Sequence, residues 1–90
     1  MKKPQKMERL AYRKIGDETI ILDTKINKEI HQLNEVASFV WELCDGKHDV
    51  QSIIQKVCEE FDVAESVAVE DINAIIAELD AKSLLTDNSL

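Results

Sequence analysis

Two cysteines, Cys44 and Cys58, and two histidines, His31 and His48, are the side chains of this 90-residue chain best suited to metal or thiol chemistry. Their spacing supports neither. A structural zinc site takes four ligands, and neither histidine joins a cysteine in a zinc-like pattern. Two cysteines do not make a disulfide framework. Both fall on the apolar faces of expected helices, where reduced cysteine packs as a small hydrophobe. No Ser/His/Asp or Cys/His set is brought together by helical spacing. The plentiful carboxylates fall on expected solvent faces, not among apolar residues that would shift their pKa. Two glycines cannot build a Gly-rich phosphate loop. The chain is therefore read as not an enzyme, with no cofactor and no metal. Binding is the chemistry that remains.

The elements that must position a binding site follow from patterning. Ninety residues make one domain with one modest core. Apolar content of 44% with 32% charged residues fits a globular chain. No apolar run reaches bilayer-spanning length, and the basic start MKKPQK is not followed by the apolar segment of a secretory signal. A cytoplasmic location with no membrane contact is expected. Residues 1–31 hold eight Lys/Arg against five Asp/Glu, while residues 32–90 hold three against thirteen. The acidic part repels phosphates, which argues against nucleic acid as a partner.

Residues 1–7 read as a disordered basic tail, 8–86 as a single domain and 87–90 as a flexible end. Residues 8–15 suit a strand with Leu10 and Tyr12 on one face. Gly16-Asp17 marks a turn. Residues 18–24 form the partner strand, with Ile20 and Leu22 expected inward and Ile21 on the opposite side. A polar link at 25–28 leads to a short third strand, Glu29 to Leu33. Three helices follow. Asn34 caps the first, about Glu35 to Asp45, whose stripe is Val36, Val40, Leu43 and Cys44, widened by Phe39 and Trp41. Gly46 suits its left-handed stop. Asp49 caps the second, striped by Val50, Ile53, Ile54, Val57, Cys58 and Phe61. The third, about Glu65 to Lys82, has Asp62 or Ser66 as cap and Val69, Ile72, Ile76 and Leu79 as core, extended by Ala68 and Ile75. Leu84 and Leu85 fold back. The expected fold is α+β: a three-stranded antiparallel sheet on the amino side of three helices, like a winged helix-turn-helix with its sheet moved forward.

The third strand is expected at a sheet edge. Unpaired backbone groups there can take an extended peptide as an added strand. An ordinary edge strand, guarded by Lys28 and Glu29, is the competing reading.

The segment IHQLNEVASFVWELCDGKHDVQSIIQKV resembles the PqqD family. It carries Leu33-Asn34-Glu35 at a strand end, Trp41-Glu42-Leu43 near the helix end, then Asp45-Gly46 and a second helix. The segment DINAIIAELDAKSLL is similar to the family's closing part. One departure is Ser83, where the family often has glycine. The resemblance implies a non-catalytic adaptor. It binds the leader of a ribosomally made precursor peptide by strand addition and presents it to a modifying enzyme, commonly a radical S-adenosylmethionine enzyme. Pyrroloquinoline quinone synthesis is one such pathway, and related proteins serve other modified peptides. Carried onto this chain, the resemblance puts Glu29, Ile30, His31, Gln32 and Leu33 on the peptide. A flank of the third helix, Asp71, Ile75, Glu78 and Lys82, forms the opposite wall. Leu33, Asn34 and Trp41 are assigned to the fold, with a partner surface as the alternative for Trp41.

Two other classes compete. A winged-helix DNA-binding regulator would have to set net negative helices against phosphates. A regulatory or dimerisation module would pair the edge strand with its own copy, so the chain is expected as a monomer or weak homodimer. Proline at His31 tests the peptide reading if that N–H faces the peptide.

Overall fold

The computed structural model describes residues 3–24 and 28–87. In chain order the elements are β1 (Pro4–Lys6), β2 (Ala11–Ile15), β3 (Glu18–Asp23), β4 (Glu29–Leu33), α1 (Glu35–Leu43), α2 (Val50–Phe61), α3 (Glu65–Ala81) and β5 (Leu85–Asp87). Strands β2, β3 and β4 form one antiparallel sheet in that order, and the three helices follow it as expected. Gly16 sits at positive φ in the first central position of the β2–β3 turn, so the two-residue loop follows the strand twist. Residues 25–27 of the expected polar link lie outside the described residues.

The sheet faces the helices with Thr19, Ile21 and Asp23 of β3 and with His31 and Leu33 of β4. This reverses the expected face: Ile21 is fully buried, whereas Leu22 is exposed and Ile20 only half-buried. Three consecutive apolar residues have no period of two, so the flanking polar residues decide the register. Asp23 can turn inward because Arg9 meets it at 3.0 Å. It is also a carboxylate among apolar residues, contrary to expectation.

A second sheet was not foreseen. Strand β1 pairs antiparallel with β5, Pro4 opposite Asp87 and Lys6 opposite Leu85. Residues 4–6 are therefore no disordered tail, and Asp87 belongs to a strand; 88–90 lie outside the described residues. Long-range backbone bonds hold β1: Lys6 N–H to the Cys44 carbonyl at 3.0 Å, and Gly46 N–H to the Pro4 carbonyl at 3.0 Å. Its partners are so distant in sequence that no local pattern announces them. The Lys6 ammonium lies 5.6 Å from the centre of the Trp41 ring and 5.7 Å from that of Tyr12.

Asn34 and Asp49 cap as expected, accepting from Ala37 N–H at 2.9 Å and Ser52 N–H at 2.8 Å. Neither Asp62 nor Ser66 caps α3. Ala64 holds that position with no side-chain bond, because Asp62 is spent ending α2 in the left-handed conformation. The buried stripe of α3 is Ala68, Ile72, Ile76 and Leu79, with Val69 and Ile75 only half-buried. Trp41 is fully buried, so it belongs to the core. Cys44 is buried and Cys58 half-buried, both free thiols. Burial chiefly drives the Cys44 thiol up to about 12.

Just past the end of α3, Ser83 takes the left-handed conformation despite its Cβ. Ser83 N–H bonds the Asp80 carbonyl at 3.0 Å and Leu84 N–H bonds that of Leu79 at 3.0 Å. These two bonds are the Schellman pattern, and buried Leu79 and Leu84 stand at the two positions it brings into contact. The turn sends Leu84 and Leu85 back under the core.

Candidate functional site

Strand β4 is the last strand of its sheet and is paired only with β3. Among the described residues no strand occupies its other edge. The register tells which backbone groups face outward. A two-residue turn is closed by hydrogen bonds between its flanking residues, Ile15 and Glu18. Bonded pairs then alternate along the antiparallel ladder. On β3, Glu18, Ile20 and Leu22 therefore bond toward β2, while Thr19, Ile21 and Asp23 bond toward β4. Their partners on β4 are Leu33, His31 and Glu29. Ile30 and Gln32 consequently direct their N–H and C=O groups to the open edge. The N–H of His31 bonds inward, so proline there strikes the sheet before it strikes any added strand.

Beside this edge lies a cavity of about 180 Å³. Its sheet wall is His31, Gln32 and Leu33; its helix wall is Ile75, Glu78, Leu79 and Lys82 of α3. Asn34 and Ala37 from the start of α1, with Leu84, complete it. Six of the nine residues named from sequence thus line one cavity. Asp71 lies outside it, in an adjoining cleft with Asn34, Val36, Ala74 and Ile75. Asn34 and Ile75 are shared by both. Glu29 and Ile30 line a separate depression with Leu22, Asp23, Thr24 and Lys28. Leu79 and Leu84 were read only as core, and Ala37 was not singled out. A cap at Asn34 already placed the first turn of α1 next to Leu33, which was the available signal for Ala37.

Half of the lining is polar: His31, Gln32, Asn34, Glu78 and Lys82. Lys82 and Glu78, one helical turn apart, form an ion pair at 3.0 Å. Exposed pairs of this kind contribute little, so either group can be recruited by a ligand at small cost. Leu33, Ala37, Ile75, Leu79 and Leu84 supply its apolar lining. His31, also in the lining, is 9% exposed, and its buried Nε2 has no hydrogen-bond partner. The separation of the walls is held from behind. Arg9 donates to both Asp23 carboxylate oxygens, at 3.4 and 3.0 Å, and to the Ser83 carbonyl at 2.9 Å. One guanidinium therefore joins the sheet to the end of α3. Among the described residues no group of three or more His, Cys, Asp or Glu could hold a metal ion, and no helix is long and apolar enough to cross a membrane.

An open-edged three-stranded sheet leading into three helices, with a cavity between edge and last helix, defines the class: a small α+β domain of winged-helix-like order. The chain belongs to the PqqD family, since the family model described as Coenzyme PQQ synthesis protein D matches residues 18–85. Its fold is that of TbiB1, solved in complex with the TbiA(beta) leader peptide: TM-score 0.82 and 22% identity over 90% of this chain and 93% of that one. It is similar also to lasso peptide synthetase B1 complexed with the leader peptide, with TM-score 0.81 and 19% identity over 93% and 98% of the two chains. The heterocyclase TruD shares the fold with TM-score 0.69 and 18% identity, covering 97% of this chain but 12% of its own. The search of curated proteins finds no match.

Proposed function

We propose that this chain is a non-catalytic adaptor that holds the leader of a ribosomally synthesised precursor peptide and presents it to a modifying enzyme. The observation that carries this reading is the unpaired edge of β4 beside a cavity walled by α3. An extended peptide gains main-chain bonds at Ile30 and Gln32, while the cavity accepts one of its side chains. Acidic Asp71 and Glu78 suit a leader bearing lysine or arginine. Family membership and the leader-bound state of TbiB1 and of lasso peptide synthetase B1 support the same occupant. The partner enzyme is proposed as a radical S-adenosylmethionine protein acting in the cytoplasm.

The test is titration of 15N-labelled protein with the amino-terminal half of a short open reading frame encoded beside this gene. Amide shifts are expected in residues 29–33 and along the flank of α3 that carries Ile75, Glu78 and Lys82. Shifts confined to the outer faces of α1 and α2 would refute strand addition.

A further inference from the structure

The sheet has a second face, turned away from the helices, and its apolar residues run out to the open edge. Residues directly opposite on neighbouring strands share a face, and successive residues alternate between faces. Thr19, Ile21 and Asp23 point to the helices, so Leu22 points outward, as does Ile30 directly opposite it. Ala11 lies opposite Leu22 on the other side. Ala11, Leu22 and Ile30 thus form one apolar row across all three strands. The last of them is 73% exposed, the most of any large apolar side chain among the described residues. A lone exposed isoleucine needs no explanation. This one ends a row, at an edge where natural sheets commonly set charge. Its backbone N–H and C=O are also among those that face away from β3.

We infer that Ile30 is a specificity residue, whose side chain selects an apolar residue of the bound peptide, β-branched or aromatic, on the sheet face away from the cavity. The inference rests on the strand-addition reading above. A strand paired with β4 sets its side chains alternately on the two faces. The residue beside His31 turns to the helix side, and those beside Ile30 and Gln32 turn outward. Beside Ile30, an apolar side chain carries the row onto a fourth strand and shields an isoleucine that otherwise stands in water. Cross-strand pairs of β-branched and aromatic residues stabilise a sheet in this way. The position beside Gln32 offers no such partner, because that side chain is polar and its amide donates to Glu18 at 2.9 Å. The outer face stays open to water, so the selection is a gain for apolar residues beside Ile30 and not an exclusion of polar ones. The edge therefore reads the peptide on both faces: through the cavity on one side and through Ile30 on the other.

The experiment starts with peptides selected from a randomised display library on the intact chain, keeping those that shift the amides of β4 and α3. Nuclear Overhauser contacts to the Ile30 methyl groups identify the peptide residue beside it. That position is expected to be rich in valine, isoleucine, phenylalanine or tyrosine, and the position beside Gln32 to show no such preference. Replacing the apolar residue by serine should weaken binding about two- to fivefold on the native protein. On Ile30→Thr the same replacement should have no such effect, while on Gln32→Thr it should cost as much as on the native chain. Equal loss on native protein and Ile30→Thr overturns the assignment while leaving strand addition intact. Charged or mixed residues at the position beside Ile30 overturn it in the same way. An oligomer that Ile30→Thr dissociates, with no change in peptide preference, gives the row to a second copy of the chain and overturns it too. Failure to select any peptide that shifts β4 and α3 overturns both readings. Amide spectra check the fold of each variant, and Ile30→Ala takes the place of Ile30→Thr should that one unfold.

Discussion

Proline substitution along β4 separates the two edges of a single strand. The ladder aims the amides of Ile30 and Gln32 outward and that of His31 toward β3. Proline is tolerated on an edge strand where its missing N–H faced solvent. Ile30→Pro and Gln32→Pro should therefore leave the fold nearly intact, because the exposed Ile30 side chain and the surface bond from Gln32 to Glu18 (2.9 Å) contribute little. Each removes one donor from an added strand. A net hydrogen bond of about 0.5–1.5 kcal/mol corresponds to a two- to tenfold loss of peptide affinity, roughly. His31→Pro instead deletes an internal ladder bond and strands the buried carbonyl opposite, at Ile21. It should cost about 1–3 kcal/mol of stability. Urea denaturation and calorimetric titration measure the two effects on the same samples. Hydrogen exchange on the free protein gives a check that needs no ligand: Ile30 and Gln32 amides should exchange fast, and those of His31 and Leu33 slowly. Slow exchange at Gln32 with fast exchange at His31 would refute the derived register and, with it, the outward donors.

Three further outcomes follow from packing and charge. Ser83→Gly should stabilise the chain by about 1 kcal/mol, since an L-residue pays that much in the left-handed region and glycine does not; thermal unfolding measures it. Arg9→Met should destabilise by about 3 kcal/mol by leaving buried Asp23 without its guanidinium, and should loosen the α3 wall as judged by amide exchange at residues 79–84. At Asp45 burial works upward but is outweighed by the amides of Lys47 and His48 and the His48 ring, which hold its carboxyl down to about 2. Its folded pKa lies below the unfolded value, so this contribution is present above about pH 4 and is lost as pH falls toward 2. Asp45→Asn should remove that part of the acid dependence of stability.

Much of the architecture was legible in local patterning. Asn34 and Asp49 mark helix starts because a cap is a contact within four residues, and β4 was delimited by its polar link and that first cap. The helix flank Ile75, Glu78 and Lys82 followed from helical spacing joined to the family resemblance. The misreadings of the sheets share a physical origin in partners far along the chain. The inward face of β3 depends on Arg9 meeting Asp23, which no alternation within ETIILD reveals. Strand β1 depends on residues 85–87. The left-handed turn at Ser83 forms because buried Leu79 and Leu84 and the Arg9 bond to its carbonyl hold it, although its own side chain disfavours it. Asp71 and Glu29 show the limit of a helical wheel or a strand range: each names a neighbour of the cavity and not its lining.

The pairing of β1 with β5 has a consequence for how the molecule can be tethered. Lys3 and Asp87 touch, the backbone N–H of one donating to the carboxylate of the other at 3.0 Å. A fluorophore, surface anchor or fusion partner attached near residue 3 or near residue 87 thus leaves from the same corner. A short linker between those points would close the backbone into a ring, and fresh termini could then be opened at the tip of the Gly16-Asp17 hairpin without cutting either β4 or the helix across from it.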